Sequence, residues 1–443
     1  MKVLILGSGA REHALSYKFS LSEDIKKVYL LPGNELVKRF EDNEKIEVVD
    51  NISLKDFEKI KNFVKENKID LTFVGPEAPL VEGIVDEFQK ENLNILGPDK
   101  FAAQLEGSKA FAKNFMKRCG IPTADFYTFK SYEEAKSFLE NYFDKGLFGN
   151  EKVEDFKDIY KKGFIVIKAS GLASGKGVLV TNDKKEALDF LKKIMVDKIF
   201  GKSGEEVVIE KCLDGTECSF FALCDGENFV SFPTARDYKR AYDEDEGPNT
   251  GGMGGYSPNP IVDKDLKEKI IEKIIKPTLK GLKEEGHPYK GVIYLGLMIT
   301  KDKEPYVLEY NVRFGDPECQ ILVRRVKDDF GKLFKQALNG NLPEKIEEDP
   351  RKAFCIVLAS EGYPFAPCEI DLKALEGKLK SLNEKDLKDI KIFFANKKGR
   401  ILSVTSLGDT FKEARDKAYK VMEKIALENT FYRKDIGKDV LEK

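Results

Sequence analysis

Three polar side chains stand at alternate positions in the run "EPYVLEYNVRFGDPE": Glu309, Asn311 and Arg313. In an extended strand alternate residues share a face. The run therefore predicts a carboxylate, an amide oxygen and a guanidinium in one row with Val307, and Leu308 and Tyr310 on the other face. Carboxylate and amide oxygens are the hard donors that Mg²⁺ takes when phosphates complete its octahedron. A solvated polar strand is the plain alternative, but the preceding strand, "GVIYLGLMIT", is apolar and argues for burial. A buried row of this kind is costly without a partner.

A second set lies in "FIVIKASGLASGKGVLVT". Its two ends read as antiparallel strands joined by residues 170–177. Gly171, Gly175 and Gly177 free the backbone N–H groups to wrap an anion, and Lys168 and Lys176 add positive charge. The spacing is not that of a Walker A loop, which leads into a helix. A glycine-rich hairpin without a ligand is the bland reading. A third set, "GSGAREH", holds the first two glycines of a dinucleotide fingerprint, with Glu12 where the third would stand. Glutamate at a helix start repels a pyrophosphate, whereas Arg11 attracts a single phosphate. A tight strand-to-helix turn is the alternative, and His13 reads as a local hydrogen-bonding group.

The elements that must position these groups fall into four sections. Residues 1–120 alternate short apolar runs with helical patterns, the signature of an open parallel sheet. The strand ends carry "GSGAREH", "LPGN" and "VGPEAP", which would face one crevice. Residues 121–210 hold the lysine- and glycine-rich hairpin, and 211–330 hold the Glu309 strand. Within the latter, "RDYKRAYDEDEGPNTGGMGGYSPNP" is too long for an ordinary connection and reads as a substrate-side loop. Residues 331–443 read as a small sheet with one docked amphipathic helix, "TFKEARDKAYKVMEKI".

Composition excludes several classes. Charged residues make up 34% of the chain, yet the formal net charge is only -2, so no global field favours nucleic acid. Seven cysteines without a C-x-x-C pair do not make a disulfide framework or a zinc site, and Cys212, Cys218 and Cys224 read as core. Reduced thiols and the absence of a signal-peptide pattern point to the cytoplasm. No apolar run is long enough to span a membrane.

In order and spacing, "GSGAREHA", "VGPEAPL", "QLEGSKAF", "IVIKASGLASGKGV", "GPNTGGMGGYSP", "LEYNVRFGDPE" and "RKDIG" resemble the phosphoribosylamine–glycine ligases of the ATP-grasp superfamily over nearly the whole chain. The resemblance implies an α/β and α+β multidomain fold. An N-terminal Rossmann-like domain with an open parallel α/β sheet (1–120) would precede a two-lobed ATP-grasp fold. Its small lobe, or lid, would span 121–210 and its central lobe 211–330, followed by a small C-terminal α+β domain (331–443). It further implies ATP and Mg²⁺, or Mn²⁺, as cofactors, and glycine and 5-phosphoribosylamine as substrates joined through glycyl phosphate. The protein would be monomeric, with no nucleic-acid or membrane partner.

By the same resemblance the loop 171–177 is a lid over the triphosphate, with Gly175, Lys176 and Gly177 on the nucleotide. Lys109 and Lys168 hold phosphates. Glu210 and the backbone from Lys211 to Leu213 meet adenine, and Glu217 meets the ribose. Glu309 and Asn311 match metal ligands, and Arg313 acts with Lys168 and Lys176 in catalysis. Gly9, Arg11, Glu12, Gly75, Pro76 and Glu77 match the ribose-phosphate end, while Asp237 and Lys239 adjoin glycine.

The chain departs from the family pattern at Ser170, where a carboxylate is usual, and at Glu35 and Leu36. Where relatives carry a further acidic metal ligand, the strand before Glu309 offers Leu297. Residues 141–163 are an insertion, read as a surface elaboration on its own lobe in which "EDFKDIYKK" forms a short amphipathic helix. Two other readings compete. A nicotinamide-dependent oxidoreductase would explain the first section only, and another ATP-grasp carboxylate–amine ligase or carboxylase would lack "GSGAREH" and "GPNTGGMGG".

Overall fold

The structure is a computed structural model that describes residues 1–173 and 175–441. The apolar run Val3–Leu6 lies at the centre of a parallel sheet ordered Ile46–Val48, Lys27–Pro32, Lys2–Gly7, Leu71–Val74 and Ile95–Leu96. A parallel strand is covered on both faces, which is why this one is apolar throughout. Val3 and Ile5 pack into one core, Leu4 and Leu6 into another. The chain builds outward from the first strand on one side, then returns to pair Leu71–Val74 on the other. The crevice at that reversal is flanked by the turns after Gly7 and after Val74.

The next sheet is antiparallel, in the order Val178–Thr181, Tyr160–Ala169, Val207–Leu213 and Phe126–Phe129. Alternation sorts its longest strand. Ile165, Ile167 and Ala169 meet Leu139, Leu191 and Ile194 of the helices Tyr132–Lys145 and Lys184–Met195, while Val166 and Lys168 face the opposite side. A third sheet runs Phe229–Ser231, Thr216–Asp225, Lys290–Ile299 and Pro305–Asn311.

Here strict alternation fails. Gly296 pairs with Glu309 and Leu297 with Val307, leaving Leu308 as the extra residue of a β-bulge. The bulge puts Leu308 on the face of Glu309 and turns Val307 into the core with Tyr310 and Val312, so the expected grouping of Val307 with Glu309 is corrected. Leu297 is likewise turned into the core, and Met298 faces the cleft.

The glycine-rich stretch is not a free loop. Arg236–Asp237 pairs with Gly254–Ser257, which joins the C-terminal sheet through Lys352–Ser360, followed by Arg400–Gly408 and Ile390–Phe394. The helix Phe411–Ile425 covers that sheet. Between its anchored ends, Arg240–Tyr242 and Glu246–Asn249 form a hairpin. The insertion also differs from expectation: "EDFKDIYKK" holds no α-helix, only the last two residues of a 3-10 turn at Val153–Asp155, and Tyr160 begins the long strand. Pairing of Tyr160 with Leu213 overrides the local helical pattern. Cys212, Cys218 and Cys224 are buried.

His13 links the first domain to the last. The Phe394 N–H donates to Nδ1 at 2.9 Å, which places the ring proton on Nε2, 2.8 Å from Glu41 Oε2. Lys391 Nζ also donates to Glu41, at 3.0 Å. Burial would raise the Glu41 carboxyl, but His13 and Lys391 outweigh it and hold it at about 2. A carboxyl depressed on folding contributes stability that is full above its ordinary value of 4.5 and is lost as pH falls toward 2. Wild type should therefore lose on the order of 2 kcal/mol more than Glu41→Gln between about pH 5 and about pH 3. Parallel Tm–pH curves would contradict this.

Candidate active site

A cleft of about 920 Å³ lies between the small-lobe sheet, the central sheet and the turns of the first domain. Of the residues singled out above, Arg11, Pro76, Glu77, Lys109, Lys168, Gly175, Lys176, Gly177, Glu210, Lys211, Leu213, Glu217, Asp237, Lys239, Glu309, Asn311 and Arg313 line it. Gly9, Glu12 and Gly75 do not. Ser174, within the lid loop, lies outside the described residues.

The cleft wall under the lid loop is cationic. Glu210 is buried and ion-paired through one oxygen to Lys168 and through the other to Lys113. Lys168 Nζ also donates to the Leu308 carbonyl at 3.1 Å, and Lys113 Nζ to Thr123 Oγ1 at 2.7 Å. Lys109 opens the helix Lys109–Arg118, whose N-cap is Ser108. Burial pushes Lys109 down, and Lys113 down to about 8. Two lysines share one carboxylate and a third stands nearby, so the wall carries surplus positive charge that a polyphosphate would neutralise. Ser170 accepts the Ala110 N–H at 3.1 Å and, through its carbonyl, the Lys109 N–H at 2.7 Å. Its hydroxyl thus fixes the start of the Lys109 helix.

Opposite stands the row of Glu309, Asn311 and Arg313. Burial would raise Glu309, but Lys239, Lys109, Lys168 and Arg313 hold it at about 2, and Lys239 Nζ is 3.3 Å from Oε1. Asn311 keeps a buried amide nitrogen with no partner among the described residues, so its amide is free to turn its oxygen to a cation. An ionised carboxylate beside such an amide fits a hard divalent ion. Arg313 is held by Glu106 at 2.6 Å and Glu77 at 3.3 Å, which ties the row to the first-domain crevice. Burial pushes Asp237 up to about 8 despite Lys239.

In that crevice Glu12 faces inward. Its carboxylate accepts the Gly9 N–H at 2.7 Å and Arg11 Nε at 2.6 Å. A Cβ on Gly75 would fall 2.1 Å from Glu12 Oε1, so glycine there makes room for the carboxylate that links the two turns. Arg11 Nη1 donates to the Phe314 carbonyl at 3.1 Å, and its side chain borders the cleft.

Several groups escaped the sequence reading. Lys113 was recoverable, since it lies one helical turn from Lys109 on the same face. Glu106 lay inside a quoted motif. Arg400 carried no local signal: it comes from the last domain, and its guanidinium binds Asp316 Oδ2 at 3.0 Å and the Gly251 carbonyl at 2.9 Å. It lies 2.9 Å from where a Gly251 Cβ would be, and a Gly252 Cβ would sit 2.5 Å from Pro317 Cδ. Part of the glycine motif is therefore explained by flat packing. Lys176 reaches the same domain, donating to the Pro364 carbonyl at 3.0 Å.

Comparison with known proteins gives three consecutive family matches: the phosphoribosylglycinamide synthetase N domain over residues 1–106, its ATP-grasp (A) domain over 107–319 and its C domain over 353–439. A phosphoribosylamine–glycine ligase of Caldanaerobacter subterraneus subsp. tengcongensis is 45% identical over 442 residues, covering 99% of each chain. That of Escherichia coli O157:H7 is 40% identical over 455 residues, covering 100% of this chain and 99% of its own. The crystal structure of the Thermotoga maritima phosphoribosylamine–glycine ligase superposes with a TM-score of 0.77 at 36% identity, over 98% of this chain and 100% of that one. A Campylobacter jejuni biotin carboxylase structure, at 15% identity and a TM-score of 0.69 over 100% of this chain and 95% of that one, shares the fold alone. The chain belongs to the phosphoribosylamine–glycine ligase family of ATP-dependent, ATP-grasp ligases.

Proposed function

We propose that the cleft joins glycine to 5-phosphoribosylamine at the expense of ATP, in purine biosynthesis. The observation that carries this reading is the wall of Lys109, Lys113 and Lys168 facing the Glu309–Asn311–Arg313 row across one cleft, in a chain of this family. Glycine's carboxylate does not acylate an amine unaided. Its oxygen attacks the γ-phosphorus of ATP, the bond to the β-phosphate oxygen breaks, and ADP and glycyl phosphate form. The phosphoribosylamine nitrogen then attacks the acyl carbon, the bond to the phosphate oxygen breaks, and the amine loses a proton. Glycinamide ribonucleotide and phosphate result. Phosphoryl transfer asks mainly for positioning and charge neutralisation, which Lys168, Lys176 and Arg313 are placed to supply.

Glu309 and Asn311 would hold Mg²⁺, or Mn²⁺, which when bound adds charge neutralisation at the phosphates. The Lys211–Leu213 edge receives adenine and Glu217 the ribose. Asp237 and Lys239 adjoin glycine, and the Arg11–Glu77 crevice takes the ribose phosphate. Both intermediate and amine hydrolyse readily, so closing the lid loop over the cleft protects them. No helix among the described residues is long and apolar enough to cross a membrane. ADP release should need glycine and phosphoribosylamine together. ADP formation at full rate with bicarbonate, or with another amino acid in place of glycine, would defeat the reading.

A further inference from the structure

Lys211 belongs to the strand that edges the cleft, but its side chain leaves the cleft and ends, 2% exposed, in a cage. Nζ lies 2.8 Å from Asp125 Oδ2 and 2.5 Å from Glu151 Oε2. The ring centroids of Phe156, Tyr160 and Phe148 are 4.2, 4.9 and 5.5 Å away. Glu151, Phe148 and Phe156 all come from the insertion, on or next to the short hairpin of Leu147–Phe148 with Glu151–Lys152. That hairpin is itself anchored, because Phe148, Phe156 and Tyr160 join the core of the small lobe.

The strand needs such a hold at this point. Its ladder to the neighbouring strand is in register from Val207 to Lys211 and shifts before Leu213: the extra residues belong to the neighbouring strand, at 161–164, and leave Cys212 out of the ladder. Such a break in the ladder frees backbone groups of the Lys211 strand for a ligand and leaves it less firmly held there. Backbone bonds from the Lys211 N–H to the Asp125 carbonyl, at 3.0 Å, and from the Asp214 N–H to the Ile159 carbonyl, at 2.8 Å, flank the gap. The second of these also ends on the insertion. An ammonium held by two carboxylates and three aromatic faces is far less free than a solvated lysine, and cation–π contacts gain strength when desolvated.

We propose that the insertion is a positioning element for the nucleobase. By gripping the Lys211 side chain from behind, Glu151, Phe148 and Phe156 set the placement of the Lys211–Leu213 backbone, and with it the affinity and selectivity for adenine. The proposal rests on the reading of that edge as the adenine site. It gives the insertion a role beyond the surface elaboration that its sequence suggests.

Glu151 lies outside the cleft and its side chain is 42% exposed, and Asp125 still neutralises Lys211 without it, so Glu151→Gln should fold. Phe156→Leu keeps an apolar filler as the second variant. Each should raise the ADP dissociation constant, measured by calorimetry, by ~5–10-fold, the size of effect expected from loss of pre-organisation. The KM for ATP should rise in step, and preference for ATP over GTP should fall by a similar factor. The kcat at saturating ATP and the KM for glycine should stay within ~2-fold, the pattern of lost uniform binding. A fall in Tm with unchanged ADP affinity and unchanged ATP-over-GTP preference would overturn the proposal, leaving the insertion a structural part only. Photolabelling of the wild type with 8-azido-ATP separates the two ideas. Label on residues 210–213 with nucleotide-insensitive variants defeats the positioning role alone, whereas label elsewhere defeats the adenine edge and the positioning role together.

Discussion

Glu309→Gln should lower kcat by at least ~100-fold, the loss typical when a preorganised charge that acts on the transferring group is removed. The exchange is isosteric and removes only the charge. In the folded protein Glu309 is ionised far below neutrality, because Lys239, Lys109, Lys168 and Arg313 surround it against the opposing effect of burial. That charge is what a divalent cation at the phosphates would need from the protein. Glu309 is one of the charges that raise Asp237, so its removal eases ionisation of Asp237 beside Lys239, and the substitution does not strand the ammonium. On the proposed reading nucleotide binding draws mostly on the lysine wall and the strand edge, so the ATP dissociation constant should change by less than ~5-fold, the split expected of a group that acts mainly in the transition state. Equilibrium binding and single-turnover rates on the same preparations give both numbers. Near-normal turnover at saturating divalent cation would remove Glu309 from this role.

Much of this site was legible because its signals are local. Ile165, Ile167 and Ala169 alternate with Val166 and Lys168, so the strand reveals which lysine leaves the core, and the glycines after it mark the turn. The parallel sheet of the first domain follows from short apolar runs between helical stretches, and its crevice from where the glycine turns fall. The Glu309 row was half legible. The spacing of Glu309, Asn311 and Arg313 survives, but the bulge at Leu308 depends on pairing with Gly296 and Leu297, which no pattern within the strand records.

What was hidden was hidden by distance along the chain. Arg400 reaches the glycine motif from the last domain, and Glu151 reaches Lys211 from the insertion, next to a stretch whose residues suggested a helix. Local propensity at "EDFKDIYKK" is weak beside the strand pairing and aromatic packing that tertiary structure imposes. Two of the departures from the family pattern are explained in the same terms. Ser170 holds the start of the Lys109 helix with a hydroxyl, and Leu297 is core because the register turns Met298 outward.

The ion triad of Lys113, Glu210 and Lys168 separates a folding role from a catalytic one. Two buried ammonium groups share one carboxylate, and burial together with repulsion from Lys168 pushes Lys113 down to about 8 although Glu210 opposes it. Removing Lys168 as methionine keeps the aliphatic bulk and leaves Lys113 and Glu210 as a balanced pair, so the folded state should tolerate it, with Tm unchanged or higher. Removing the carboxylate as Glu210→Gln strands both cations, and breaking a buried pair in that way costs ~3–5 kcal/mol. Saturating ATP should restore much of the stability of Glu210→Gln, because ligand bound only to the native state shifts the equilibrium by mass action. Activity should order the variants differently. Lys168→Met should lose at least ~100-fold in kcat/KM for ATP, since it withdraws a preorganised charge from the polyphosphate wall. A Lys168→Met enzyme that folds and works within ~10-fold of wild type would show that Lys168 serves only to neutralise Glu210, because a transition-state contact of this kind is worth more than that factor.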